Sequence, residues 1–285
     1  MPMPSRFMPA ALRGFAAWAL SLLTAAWLAT MLLCWAPGAG IDEAELDANR
    51  TAQSIAALRQ ERAGDRSVIH VYGLLLTGIA TGDLGHSPVF NRPVAQLLAE
   101  RIPVTASLVA AGLALAWLTG LALALLGLPG PRLRWLPIGL TSLLVCVPVA
   151  MVALGCELAG WPAPVAIAAA VLPKVFSYTD QILQRGLRES YRMMAVARGV
   201  RGLRLLAAHL LWPAWPELRA LASVTVPLAL GAAIPVEVFT DTPGIGQLAW
   251  KAAAGRDVML LLYLTVLLTG VTLLLGRKQQ EAAHV

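Results

Sequence analysis

Residues 103–128 read PVTASLVAAGLALAWLTGLALALLGL, without one charged side chain. A helix needs ~20 predominantly apolar residues to cross the ~30 Å of hydrocarbon in a bilayer, so this segment is predicted to span a membrane. Working outward, residues 14–36 form another uncharged run. Residues 135–157 and 161–184 are two further mostly apolar runs, containing Glu157 and Lys174 with Asp180, and are separated by a tight Gly160-Trp161-Pro162 turn. Residues 218–239 follow, and residues 258–275 are short but adequate. The expectation is an all-α integral membrane protein with six transmembrane helices, whose even number puts both termini on one side. The apolar run at 14–36 exceeds the ~7–15 residues of a signal-peptide core. Met31-Leu32-Leu33-Cys34 also lacks the small residue that precedes a lipidated cysteine. This run is therefore read as an uncleaved first span.

The 37–102 segment differs in kind. Asp42, Glu43, Glu45 and Asp47 open it, and it runs on through Ile55-Ala56-Ala57-Leu58 at helical spacing. Residues 68–80 are apolar but too short to span, so they are expected to lie in an interface or to pack on the loop. Gly82-Asp83-Leu84-Gly85 then breaks the run. The organisation so predicted is an N-terminal segment at 1–13, a first span at 14–36 and an external loop with short helices at 37–102. A five-helix core at 103–276 contains a polar loop at 185–219, and a tail occupies 277–285.

Of the 285 residues, 58% are apolar and 13% charged, against ~45–50% and ~25% in soluble domains. The mean hydropathy of +0.69 agrees, and an ordinary soluble enzyme is excluded. The net charge of +6 acquires meaning only when it is partitioned among the loops. Arg6, Arg13, Arg132, Arg134, seven arginines of the 185–219 loop, Arg277 and Lys278 flank the spans on the side of the termini. The opposite side carries eight basic residues together with ten acidic ones. Because basic residues concentrate in cytoplasmic loops, both termini are placed in the cytoplasm. Secondary transporters characteristically show internal repeats and helices broken at midplane; the sequence reads as having neither.

No catalytic constellation is visible. His70, His86, His209 and His284 all lie outside the spans, which argues against an intramembrane haem, zinc or proton-relay site built on histidine. Cys34, Cys146 and Cys156 fall in apolar runs and read as small hydrophobic residues rather than metal ligands. There is no phosphate-binding G-x-x-x-x-G-K-[ST] loop, and Gly244-Ile245-Gly246 follows no strand. The cationic residues sit at a membrane boundary, so no nucleic-acid partner is expected. Among ionisable residues in the spans, Glu157 and Glu237 lie near the outer ends, where water can meet them. Lys174 is the candidate for lining a pathway, and Asp180, six residues on, is not an ideal helix neighbour for it.

In the 185–219 loop, Arg185, Arg188, Arg192, Arg198, Arg201 and Arg204 alternate with Met193, Met194, Val196, Val200, Leu203 and Leu205. Gly199 and Gly202 interrupt the helix, and Pro213 and Pro216 stop it. A short amphipathic helix with a methionine face suits docking into a partner's groove. Equally, topology and anionic headgroups require arginine-rich loops of their own accord.

Tyr191, Ala195, Ala197, Arg198 and Gly199 resemble the cytoplasmic coupling-loop signature of permease subunits in bacterial ABC importers of the dipeptide, oligopeptide and nickel branch. Leu187-Arg188-Glu189 before it and His209 after it fit that branch. Ala36-Pro37-Gly38 resembles the family's end of the first span. Gly82-Asp83-Leu84-Gly85, Ser87, Arg92-Pro93-Val94, Arg101, Pro103 and Thr105 resemble its approach to the second. Glu237, Pro243-Gly244-Ile245-Gly246, Leu248 and Arg256-Asp257 resemble the turn before the last span. The four matches fall in order and cover nearly the whole chain. Met193 stands where the broader signature has Glu, the closing proline is out of register and the loop between the third and fourth spans is short. The transported substrate stays open.

The resemblance implies a type I importer permease in the bacterial inner membrane, forming half of a translocation pathway for a peptide-like or other small solute. The coupling residues would be Tyr191, Arg192, Met193, Met194, Ala195, Ala197, Arg198 and Gly199. The implied partners are a second permease subunit, usually a different chain, two ATPase subunits that carry ATP and Mg, and an extracytoplasmic solute-binding protein. This chain would then be no enzyme and hold no cofactor. The external-side motif comprises Gly82, Asp83, Gly85, Glu237, Pro243, Gly244, Gly246, Arg256 and Asp257. The alternative is a membrane scaffold that recruits a soluble partner without transporting.

Overall fold

The computed structural model describes residues 10–35, 67–127, 131–188, 194, 197–199 and 211–283. The acidic opening from Asp42 to Asp47 and most of the arginine-rich loop lie outside them. The main helices are α1 (Ala10–Trp35), α2 (Val68–Thr81), α3 (Val94–Leu126), α4 (Pro131–Cys146) and α5 (Val149–Leu158). They continue with α6 (Pro164–Arg188), α7 (Trp215–Phe239), α8 (Ile245–Ala254) and α9 (Val258–Ala283). A two-residue antiparallel pairing of β1 (His86–Ser87) with β2 (Arg92–Pro93) is a small departure from the all-α expectation. The chain divides into two compact units, Met1–Ile102 with Leu248–Arg277 and Pro103–Gln247 with Lys278–Val285.

Within the first unit, α2 packs on α1; the 37–66 part of the loop, which precedes it, lies outside the described residues. Tyr72 donates from its hydroxyl to the Leu23 carbonyl at 3.2 Å, and its ring meets Trp27 edge-on at 5.1 Å. Gly82 ends α2 in the left-handed conformation, φ 76°, a C-cap geometry in which glycine carries no Cβ penalty.

The second unit is held together by small residues. Gly112, Ala116, Gly120 and Ala124 recur every fourth position on α3 and are all buried. A Cβ on Gly112 would stand 2.6 Å from Ile167, and one on Gly120 2.7 Å from Val175. The α3 backbone therefore approaches α6 closely, as small-residue seams permit where helices associate by packing. Ile167, Val171 and Val175 of α6 join Ala229, Ala233 and Val236 of α7 in the same core. Trp117 of α3 donates its indole N–H to Thr225 of α7 at 3.2 Å.

Span by span, the expectation is met in part and corrected at one break. Among the described residues, three helices, Gly14–Trp35, Val94–Leu126 and Trp215–Phe239, are long and apolar enough to cross a membrane. Residues 135–157 are not one continuous helix: α4 and α5 meet at a 102° bend, a broken span or a re-entrant loop. The sequence reading of uninterrupted spans is thus overturned. The cause is Val147-Pro148, because proline lacks an N–H and drives the preceding residue out of the helical region. Counted as one, the broken pair makes a fourth span. The helix α6 carries Lys174, Asp180, Arg185 and Arg188 and is not among these candidates, while Val258–Leu274 is a shorter apolar helix.

Candidate functional site

The turn joining α7 to α8 is built around one carboxylate. Glu237, in the last turn of α7, is wholly buried. Its carboxylate accepts the Thr105 hydroxyl at 2.6 Å, the Gly246 N–H at 2.6 Å and the Gln247 N–H at 3.2 Å. Thr105 in turn accepts the Ile245 N–H at 2.8 Å. The first N–H groups of a helix have no intrahelical partner, and here a carboxylate and a hydroxyl from two other helices satisfy three of them. The helix dipole also favours negative charge at that end.

Gly244 is required by this arrangement, since a Cβ there would lie 2.3 Å from the Glu237 carboxylate. Gly246 likewise admits the Ile234 Cα, which would stand 2.6 Å from a Cβ. The intervening turn is braced by Thr242 N–H to the Glu237 carbonyl at 3.0 Å and by Gln247 to Asp241 at 2.6 Å. Burial of Glu237 corrects the expectation that it meets water, whereas Glu157 is exposed.

In the other unit, Asp257 plays a similar part. It is buried, accepts the Ser87 hydroxyl, and caps α9 through the Leu260 N–H at 3.1 Å. Ser87 also accepts the Phe90 N–H at 3.2 Å, so one aspartate ties the β1 segment to the start of α9. Arg256 before it has φ 57°. Asp83 closes its own turn by accepting the Gly85 N–H at 3.0 Å, and the Gly85 carbonyl accepts Val94 N–H at 3.0 Å. Residues read only as motif matches are thus partners within each unit: Glu237 with Gly244 and Gly246 in its own turn, and Asp257 with the distant Ser87. The pairing of Thr105 with Glu237 was not foreseen, although both stood in the motifs.

Sequence reasoning also missed the partner of Asp180. Asp180 is 5% exposed and is held by Arg134 of α4 through two bonds, the Nε one at 3.1 Å. The available signal was physical: a carboxylate in an apolar helix needs a counter-charge, and Arg134 had been read only as a topology marker. Lys174 instead lies over the Tyr178 ring at 4.5 Å, with its Nζ 3.5 Å from the hydroxyl.

Of the coupling-loop residues, Tyr191, Arg192, Met193 and Ala195 lie outside the described residues. Arg198 donates its N–H to the Met194 carbonyl at 3.1 Å, one helical turn apart, and Met194 is exposed. Ala197 is helical, and Gly199 has φ 81°. Arg185 and Glu217, at the two ends of the loop, approach to 3.9 Å. Among the described residues, no group of three or more His, Cys, Asp or Glu could hold a metal ion.

Apolar crossing helices, close small-residue packing and buried carboxylates used as helix caps define a polytopic membrane protein. No family model matches the chain. It is 30% identical to a Brucella ovis protein named as a peptide permease, over 90% of this chain and 88% of that protein. It is 29% identical to the glutathione transport system permease protein of Pectobacterium atrosepticum, over 76% of this chain and 78% of the relative. A Brucella suis protein named as a peptide transport system permease is 25% identical over 83% of the chain and 84% of its own length. The chain belongs to this family of ABC transporter permeases, as the motifs had indicated.

Proposed function

We propose that this chain is the membrane-spanning permease subunit of an ATP-driven importer for peptide-like solutes, forming half of the translocation pathway. The observation that carries the reading is the 30% identity to a peptide permease over 90% of the chain. In this reading six segments cross the inner membrane in a type I arrangement, with α6 and α9 among them, and both termini are cytoplasmic. A second permease subunit, two ATPases and an extracytoplasmic binding protein complete the complex. ATP hydrolysis belongs to the ATPases, and this chain holds no cofactor. The coupling loop around Tyr191 to Gly199 is gripped by an ATPase, so that ATP-driven closure rocks the permeases between inward- and outward-facing states. Such coupling requires that the loop be held differently in the two states. Reconstitution of the complex in proteoliposomes tests this: loaded binding protein should stimulate ATP hydrolysis and drive uptake of a dipeptide. A complex that assembles but does neither is the scaffold of the alternative reading.

A further inference from the structure

The helix α6 has two unlike faces. Val175, Phe176, Thr179, Asp180 and Leu183 are buried, whereas Ser177, Tyr178 and Gln181 are exposed and Lys174 is half-exposed. The latter four fall at i, i+3, i+4 and i+7 and therefore form one stripe along the helix. The buried carboxylate of α6 is fully committed to Arg134. Lys174 makes no ion pair among the described residues; its recorded contacts are the Tyr178 ring and hydroxyl. This helix packs in one core with α3 and α7, both of which are apolar enough to cross the membrane. At that depth an unmatched ammonium and a row of hydrogen-bonding groups are costly against lipid, and such residues face water-filled cavities or ion pathways.

We propose that Lys174, Ser177, Tyr178 and Gln181 line the translocation pathway, and that Lys174 is a specificity-determining counter-charge for the carboxylate of the passing solute. The inference rests on the permease reading. Tyr178 holds the ammonium over the stripe by a cation–π contact and leaves its N–H donors available to an anion. The uncharged groups at Ser177 and Gln181 offer hydrogen bonds that are easily exchanged. A solute must leave as readily as it binds, so one cation flanked by neutral donors suits passage better than a fully paired site.

The test uses the full complex with Cys34, Cys146 and Cys156 replaced by alanine and either Ser177→Cys or Gln181→Cys introduced. Both cysteines should react with membrane-impermeant methanethiosulfonates, the anionic reagent faster than the cationic one. Lys174→Gln should lower that rate ratio on the order of tenfold, as removal of one nearby charge in a partly shielded site predicts. In uptake assays Lys174→Gln should cut transport of an unblocked dipeptide about tenfold, while Lys174→Arg retains most of it, with the second permease still co-purifying. Unreactive cysteines, an unchanged rate ratio, or loss of the second permease from the Lys174→Gln complex would each overturn the proposal. The labelling is read in membranes independently of transport, so a wild-type complex that fails to transport sinks the permease reading separately.

Discussion

At the scale of single residues, the Glu237 carboxylate is the most consequential group described. Three donors converge on it, from Thr105, Gly246 and Gln247, and removing it would leave them buried without an acceptor. Each orphaned group costs ~1–3 kcal/mol. Glu237→Ala is therefore expected to lower stability by about 2–5 kcal/mol, read as a lower midpoint of thermal unfolding in detergent. Gly244→Ala should reproduce much of that loss by a different route, because its new methyl must displace the same carboxylate. If both variants unfold like wild type, the carboxylate does not hold the turn. The sequence placed Glu237 and the glycines in one motif but could not say that they touch. Their contact depends on the direction in which α7 ends, which no local pattern encodes.

At the scale of elements, the Arg134–Asp180 pair joins the first half of a broken span to α6. Breaking a buried pair leaves an uncompensated charge, whereas replacing both partners with apolar residues is often nearly neutral. Arg134→Met alone should destabilise by about 2–4 kcal/mol, and Arg134→Met with Asp180→Leu should recover most of it. Equal losses in the single and double variants, measured by detergent unfolding, would show that the pair is not the tie between these helices. The break at Val147-Pro148 was legible as a proline but not as a bend. Proline is tolerated inside membrane helices when neighbours satisfy the freed groups, as Pro103, Pro173, Pro227 and Pro235 remain inside helices here. Which prolines break a helix is decided by packing. The loop after α6 carries a further expectation. Gly199 sits at φ 81°, where an L side chain is strained. An added carboxylate would pair with the neighbouring arginines Arg198 and Arg201 and draw them away from a partner's acidic groups. Gly199→Asp should leave insertion and assembly intact but uncouple ATP hydrolysis from uptake. A variant transporting at the wild-type rate would remove the loop from the coupling role.

At the scale of the whole molecule, the charge partition makes the clearest prediction. A fluorescent protein that matures only in the cytoplasm should fluoresce when fused after Val285, and a phosphatase active only outside should work when inserted after Thr81. The reverse pattern would invert the assignment of both termini.

Composition and charge-free runs by themselves determined that this chain belongs in a bilayer, because ~20 apolar residues in a row have no other economical solvent. The spaced glycines, prolines and acids also sufficed to mark the permease family. The tertiary structure alone decided which acids are buried caps, which basic residue answers Asp180, and where a span is broken. Those outcomes depend on contacts between residues tens to more than a hundred positions apart. Desolvated carboxylates and close backbone approaches are set by how helices pack, not by the order in which they occur along the chain.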